Sequence, residues 1–94
     1  MIYVDALVPC IPTGVWRWSK ACHMLTDGDL DDLHSFALRL RLRRSWFQWK
    51  PTGLPHYDLT ESKRRQAIAL GAVEVDRREV VRCLHYWRQK RNDV

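Results

Sequence analysis

The chain has 94 residues, of which 46% are hydrophobic and 29% are charged, and its formal net charge is +5. This length suits one small domain over residues 1–94, since typical domains hold roughly 100–150 residues, and the composition excludes a disordered chain. No apolar run approaches the ~20 residues that a membrane helix needs, so we expect no membrane partner.

The charge is unevenly distributed along the chain. Residues 1–38 carry two basic and five acidic side chains, a net of −3, whereas residues 39–94 carry fourteen basic and six acidic ones, a net of +8. Twelve of the sixteen basic residues are Arg, which contacts phosphate in a bidentate manner and stacks on flat rings. The basic part predicts nucleic acid or a nucleotide as partner, with solubility and local ion pairing as the alternative.

Three cysteines, Cys10, Cys22 and Cys83, form neither an even number nor a C-x-x-C pair. A secreted disulfide scaffold is therefore not expected. The strand-like Ile2–Val4 stands where a secretory signal would begin, so we expect a cytoplasmic protein. Cys10, Cys22 and His23 could form a zinc site, although their spacing matches no common zinc module; the alternative is that the thiols are small buried hydrophobes.

Strand and helix signals alternate along the chain. The first half predicts a strand at residues 2–4, a loop at 6–15, a strand at 16–25 and a helix from Thr26 to about Leu40. The second half predicts a strand at 46–48, a loop at 50–55, a helix from Asp58 or Thr60 to Gly71 and a strand at 72–75. A last helix follows, which Asp76 and Glu79 open as a capping box. Residues 91–94 are expected to fray. The order β-β-α-β-α-β-α predicts an α/β fold with a three- or four-stranded, mostly parallel or mixed sheet and about three helices.

Polar side chains follow two of the predicted strands. Asp5 comes after the first strand, and His56, Tyr57 and Asp58 come after the third. Parallel strands would bring these groups to one edge of the sheet, where open α/β folds bind ligands. Asp5, His56 and Asp58 are therefore the candidate catalytic residues and the candidate ligands of Mg²⁺ or Mn²⁺, as phosphoester hydrolysis would require. The alternative is that all three are structural: Asp58 caps a helix, Asp5 ends a strand, and the His56 ring hydrogen-bonds to a backbone carbonyl.

Basic side chains near this edge are candidate phosphate contacts. Lys63, Arg64 and Arg65 lie in the first turns of the second predicted helix, whose free N–H groups also attract anions. Arg43 and Arg44 precede a Trp-Phe segment, and exposed rings beside Arg could stack bases while the cations contact phosphates. The alternative is that the rings belong to the core and the Arg side chains are solvated.

Two further histidines lie in predicted elements. His34 borders the apolar face of the first helix, where we expect a half-buried ring with a backbone or carboxylate partner; ligand binding or pH sensing is the alternative. Tyr57 is a further candidate, as the phenol between His56 and Asp58. His23 and Cys22 are neighbours in a strand and face opposite ways, so one should be buried and the other exposed.

Six short motifs together resemble a small bacterial and phage family of unknown function. They are Tyr3-Val4-Asp5, Asp32-Leu33-His34, Trp46-Phe47-Gln48, His56-Tyr57-Asp58, Ser62-Lys63-Arg64 and Gly71-Ala72. The resemblance spans most of residues 2–79 and implies a stand-alone domain, common among phage and prophage accessory genes, with no assigned activity. The chain differs from the family pattern at Arg41, where Gly is the usual helix stop, and in a longer loop at residues 8–18.

Two functions of different classes follow from these features. The first is binding of nucleic acid or a nucleotide phosphate, with metal-dependent phosphoester hydrolysis at Asp5, His56 and Asp58. The second is a non-enzymatic accessory protein that binds a host or phage protein through its Trp-rich loop and its Arg-rich third helix.

Overall fold

Within residues 1–92, which a computed structural model describes, five strands and three α-helices form the fold; Asp93 and Val94, where fraying was predicted, lie outside the described residues. The strands are β1 (Ile2–Val4), β2 (Val8–Pro9), β3 (Lys20–Thr26), β4 (Tyr57–Leu59) and β5 (Val73–Glu74). The helices are α1 (Leu30–Arg39), α2 (Glu61–Ala69) and α3 (Arg77–Asn92). The predicted α/β fold class is confirmed.

The sheet is built around β3. This strand pairs antiparallel with β1, β2 and β4, and β1 pairs parallel with β5, so the sheet is mixed. The prediction that residues 6–15 form only a loop is wrong, because Val8 and Pro9 pair with Ala21 and Lys20. The sheet therefore has five strands, whereas three or four were predicted, and the additional strand is β2.

The third predicted strand is wrong, and the strand lies later in the chain. Arg44–Trp46 forms a 3₁₀ turn, and Gln48 contributes only an isolated bridge to His56. Trp46 is half exposed, so a strand there would bury little apolar surface. Tyr57–Leu59 form β4 instead, since alternate residues of this segment are almost fully buried.

The start of α1 differs from the sequence prediction, whereas that of α2 matches one of the two predicted residues. Asp29, not Thr26, caps α1, and its carboxylate accepts the Asp31 N–H at 2.8 Å. Thr26 is unavailable because it is buried at the end of β3, where its hydroxyl donates to the Met1 carbonyl at 2.7 Å. Thr60 caps α2, as one of the two predicted starts had it.

One face of the sheet carries the hydrophobic core, and α1 and α2 cover it. The buried side chains that strands and helices contribute to this core include Val4, Cys22, Met24, Leu33, Phe36, Ala37, Leu40, Tyr57, Leu59 and Ala67. Successive side chains of a strand point to opposite faces. Asp5, His23 and Asp58, which neighbour core residues in sequence, therefore lie on the other face of the sheet.

The third helix is fastened to the end of β3. The Trp87 indole N–H donates to the Thr26 carbonyl at 2.7 Å, and Arg82 pairs with Asp27 at 2.9 Å. The Glu79 N–H donates to the Asp76 carboxylate at 3.1 Å, which confirms the predicted cap. None of the helices in residues 1–92 has the length and apolar character needed to cross a membrane.

Two helices end in the same backbone motif with different residues. After the α1 cap, Leu40, the Leu42 N–H donates to the Ala37 carbonyl at 2.9 Å, and Arg41 has a φ of 62°. Gly71 occupies the corresponding position after α2, with a φ of 110°. This is the Schellman end, whose left-handed residue is usually Gly because a Cβ is strained there. Arg41, which carries a Cβ, therefore stores strain at this position.

Replacement of this residue should stabilise the protein. We expect Arg41→Gly to raise the free energy of unfolding by about 0.5–1 kcal/mol, since relief of the left-handed strain exceeds the entropy that Gly adds to the unfolded chain. Thermal unfolding followed by circular dichroism should show a midpoint a few degrees higher. Arg39→Gly, inside α1, is the matched control and should lower the stability by about 1 kcal/mol. A lower midpoint for Arg41→Gly would contradict the strain.

Candidate metal centre

Two imidazoles and a carboxylate converge on the sheet face opposite the core. His23 lies in β3, Asp58 lies in β4, and His56 directly precedes β4. One ligand atom from each of the three lies within 4.8 Å of the other two. We call these three residues the His–His–Asp cluster.

Strand pairing brings the cluster together. His23 and Asp58 are register partners in the antiparallel β3–β4 pair, and directly opposite residues have Cβ atoms roughly 5 Å apart. His56 is two residues before Asp58 and shares its face. The expectation that these groups gather at the ends of parallel strands is therefore wrong, because β3 and β4 run antiparallel.

Both imidazoles are oriented through Nδ1. His23 Nδ1 donates to Asp5 Oδ2 at 2.7 Å, and Asp5 Oδ1 accepts the His23 backbone N–H at 2.6 Å. His56 Nδ1 donates to the Leu54 carbonyl at 2.7 Å, since a carbonyl oxygen can only accept. Rings held in this way leave Nε2 available as a metal ligand, an arrangement typical of metal-binding histidines.

The Asp58 carboxylate is divided between two roles. The Gln48 amide donates to Oδ2 at 2.6 Å, while Oδ1 lies 3.5 Å from His56 Nε2 and 4.0 Å from His23 Nε2. A tetrahedral ion with bonds of ~2.1 Å needs ligand atoms ~3.4 Å apart. These two separations are within about 0.6 Å of that requirement, and all three ligand atoms lie within 4.8 Å of one another, so side-chain movements of about 1.4 Å or less would complete the geometry.

The charges around the cluster reinforce this arrangement. The hydrogen bond to Asp5 raises the pKa of His23 against the opposing effect of burial, and a more basic ring is a stronger metal ligand. The contact with His56 lowers the pKa of Asp58, so this carboxylate is ionised at neutral pH. Burial raises the pKa of Cys22 to about 12, so the thiol next to His23 in the chain stays protonated.

The cluster is open to solvent. The side chains of His23, Asp58 and His56 are 45%, 33% and 19% exposed. Catalytic zinc sites use three protein ligands and leave a fourth position for water or substrate. Three side chains on an accessible sheet face provide that number of ligands and that opening.

The predicted residues Asp5, His56 and Asp58 do lie together, although Asp5 has a different place from the one expected. Both of its carboxylate oxygens contact His23, so Asp5 orients a ligand instead of serving as one. Sequence reasoning missed Gln48 and placed His23 in a different metal site, with Cys10 and Cys22. The alternation of exposed His23 with buried Cys22 was the available signal, and that predicted alternation is confirmed.

The Cys10, Cys22 and His23 zinc site is not formed. Cys22 is 2% exposed and faces the core, away from His23. Cys10 donates its S–H to the Trp18 carbonyl at 3.4 Å. Cys22 and Cys83 are both buried, as the alternative interpretation of the thiols as small buried hydrophobes predicts.

Two of the predicted phosphate-binding cations have structural partners. Lys63 donates to the Leu40 carbonyl at 2.7 Å, at the end of α1. Arg64 donates to the Asp5 carbonyl at 2.9 Å and to the Glu74 carboxylate at 3.0 Å. These bonds connect α2 to neighbouring elements, and Arg64 supports the backbone of the residue that orients His23.

The other predicted phosphate contacts are exposed. Arg65 lies on the outer surface of α2. The Arg43 guanidinium lies 5.7 Å from the Trp46 ring centroid, and that of Arg44 lies 4.9 Å from the Phe47 ring centroid. The five cations thus do not form one phosphate clamp at the cluster, and phosphate binding by the exposed ones stays a prediction.

His34 and Tyr57 meet on the core side of β4, away from the cluster. His34 Nδ1 lies 2.9 Å from the hydroxyl of Tyr57, so the half-buried ring has a phenol partner and not the backbone or carboxylate partner expected. With Arg44, they line a cavity of about 240 Å³. Burial, with a smaller effect of Arg44, lowers the pKa of His34, so this ring is neutral at pH 7.

Comparison with known proteins identifies a family but no activity. The family described as "Protein of unknown function (DUF4031)" matches residues 2–86, a range that contains the whole cluster and its partners. No curated protein and no solved structure matches the chain. The match covers well over half of the sequence, so the chain belongs to the DUF4031 family, whose function is unknown.

Proposed function

We propose that the His–His–Asp cluster binds a divalent transition metal ion and that the metal-bound protein hydrolyses phosphoesters. The observation that carries the proposal is the set of partners behind the ligands. Asp5, Leu54 and Gln48 each hold the far side of one ligand, which leaves His23 Nε2, His56 Nε2 and Asp58 Oδ1 free, and one ligand atom from each residue lies within 4.8 Å of the other two. Such partners are typical of metal sites, where they fix the tautomer and orientation of the ligands.

The donor set favours zinc. Mg²⁺ prefers oxygen ligands, whereas imidazole suits Zn²⁺ and Fe²⁺; Mn²⁺ binds nitrogen sites more weakly than these two ions, and two His with one carboxylate are a known ligand set of catalytic zinc. Of the two ions expected from the sequence, Mn²⁺ is the better match. A bound ion of this kind acts as a Lewis acid and activates water near neutral pH.

The charge balance supports an anionic substrate. Residues 39–94 have a net charge of +8, and a positive surface raises the local concentration of anions. Both aspartates of the site face imidazoles, which reduces the repulsion that they exert on a phosphate. We therefore propose a nucleotide or nucleic acid as the substrate class.

A second candidate function uses a different surface. Ile11 and Val15, in the segment between β2 and β3, are 88% and 100% exposed, and Trp18 is about half exposed. Exposed apolar side chains in one loop are typical of protein-binding surfaces. They support the alternative of an accessory protein that binds a host or phage protein, in the phage setting that the family resemblance implies.

Metal binding can be measured directly on the purified protein. We expect wild type to bind Zn²⁺ in a 1:1 ratio in isothermal titration, and His56→Ala to lower the affinity at least about 100-fold, since one of three ligands is lost. His85→Ala, which removes an exposed imidazole from α3, is the matched control and should bind like wild type. Equal affinities of all three proteins would contradict the cluster as the binding site.

Hydrolysis is tested separately with a chromogenic phosphodiester. We expect bis(p-nitrophenyl) phosphate to be cleaved faster with Zn²⁺ or Mn²⁺ than with Mg²⁺, because the ligands include two imidazoles. Asp58→Ala should lower the metal-dependent rate by about 100-fold or more through loss of the ion. Tight metal binding without any metal-stimulated cleavage would contradict the hydrolytic part of the proposal and favour the protein-binding alternative.

A further inference from the structure

An open cleft lies between the start of α1 and the last turns of α3. Its volume is about 640 Å³, within the range of small-molecule sites. Three aromatic rings and two cations contribute to its walls: Trp49, Tyr86, Trp87, Lys90 and Arg91. Asp29, the cap of α1, also lines the cleft, so the cleft combines flat apolar surfaces with two cations and one carboxylate.

The rings of the cleft are held firmly. Trp87 is buried and fixed by its bond to the Thr26 carbonyl, and its ring centroid lies 5.5 Å from that of Trp49 and 5.1 Å from that of Tyr86. Both pairs are close to perpendicular, at 77° and 89°. A perpendicular pair covers at most one face of one ring, so the pair with Trp87 leaves Tyr86 at least one face for a further planar group.

The positive charge of the protein is concentrated on the same helix. α3 carries six basic residues and one acidic residue, a net of +5 that equals the net charge of the whole chain. Lys90 is exposed beside the cleft, and the Arg91 guanidinium stacks 3.7 Å from the Trp49 ring centroid. Aromatic rings next to cations are the features with which proteins stack unpaired bases and contact the adjoining phosphates.

The cleft and the His–His–Asp cluster share one segment of chain, residues 48–56. Gln48 and Leu54 orient two of the cluster's side chains, while Trp49, directly after Gln48, belongs to the cleft. Helix α3 holds this segment, because Arg88 donates to the Thr52 carbonyl at 2.9 Å and Arg91 donates to the Trp49 carbonyl at 3.4 Å. A nucleic-acid strand held in the cleft therefore lies next to the segment that orients the cluster.

We propose that this cleft binds one base of a single-stranded nucleic acid, stacked against the ring of Tyr86, with Lys90 on a flanking phosphate and the Trp49–Arg91 stack as the adjoining wall. A duplex offers no unpaired base for the cleft, so the substrate is single-stranded. Stacking accepts every base, so binding has little sequence preference. Presentation of the adjoining phosphodiester to the cluster rests on the proposed function, whereas binding in the cleft does not.

Fluorescence anisotropy with a labelled twelve-nucleotide oligothymidine, in EDTA, tests binding without any metal. We expect the single strand to bind at least about tenfold more tightly than a duplex of the same length, with affinity that falls as salt rises. Tyr86→Ala should weaken binding about tenfold through loss of stacking. Lys90→Gln should weaken binding severalfold. It should also reduce the magnitude of the slope of log K against log salt concentration by about 0.7, the value for one phosphate contact on a single strand.

Lys20→Gln is the matched control for charge. Lys20 is exposed at the start of β3, the end opposite Thr26, roughly 20 Å along the strand from the cleft. We expect its affinity to stay within about twofold of wild type. Equal losses for Lys20→Gln and Lys90→Gln, or equal binding of single strand and duplex, would show diffuse electrostatic attraction and overturn the proposal.

The test also separates this proposal from the proposed function. Binding in EDTA that Lys90→Gln weakens supports the cleft even where Zn²⁺ neither binds nor stimulates cleavage. Absence of binding in EDTA overturns the cleft even where the cluster binds Zn²⁺ and cleaves bis(p-nitrophenyl) phosphate. Circular dichroism of each variant identifies any loss of fold, and Lys90→Gln, a surface change, keeps the test decisive if Tyr86→Ala unfolds.

Discussion

The antiparallel pairing of β3 with β4 is the constraint on which the site depends. Its register pairs Cys22 with Leu59, His23 with Asp58, and Met24 with Tyr57. A slip of β4 by one residue would turn its two core side chains, Tyr57 and Leu59, away from the core, at a cost of roughly 1.5–3 kcal/mol for each. Burial on one face of the sheet therefore fixes which polar residues face each other on the opposite face. The His–His–Asp cluster uses a geometry that the hydrophobic core maintains.

Hydrogen bonds then refine what the register brings together. Each cluster side chain has one atom held by a hydrogen bond with a neighbouring residue, and the free Nε2 atoms of His23 and His56 lie 4.0 and 3.5 Å from Asp58 Oδ1. Two of those neighbours lie in residues 48–56, which α3 holds by two guanidinium–carbonyl bonds. The basic helix thus contributes to the site twice, by holding the segment that orients the ligands and by concentrating positive charge beside it. Removal of α3 would disturb both.

Much of the fold was predictable, and much of the site was not. The α/β class, the end of α1 at Leu40 and the Asp76 cap follow from local patterns of apolar spacing and capping residues, which act over a few positions. The β4 strand has only three residues, too few for its alternation to stand out against the aromatic run at 46–48. Asp5, His56 and Asp58 were predicted to lie together on the premise of parallel strands, whereas cross-strand pairing is the actual cause. His23 was assigned to a zinc site with the wrong partners, Cys10 and Cys22, because its actual neighbours, Asp5 and Asp58, are 18 and 35 residues away in sequence.

The ligand assignment carries the proposals about chemistry, and it can be seen at the atomic level. A crystal structure of the protein with Zn²⁺, with anomalous scattering recorded at the zinc absorption edge, locates the ion without any assumption about activity. We expect one strong peak ~2.0–2.2 Å from His23 Nε2, His56 Nε2 and an Asp58 oxygen, with Asp5 still bonded to His23 Nδ1. A zinc peak bound elsewhere on the chain, with the His–His–Asp cluster lacking one at saturating Zn²⁺, would contradict the assignment.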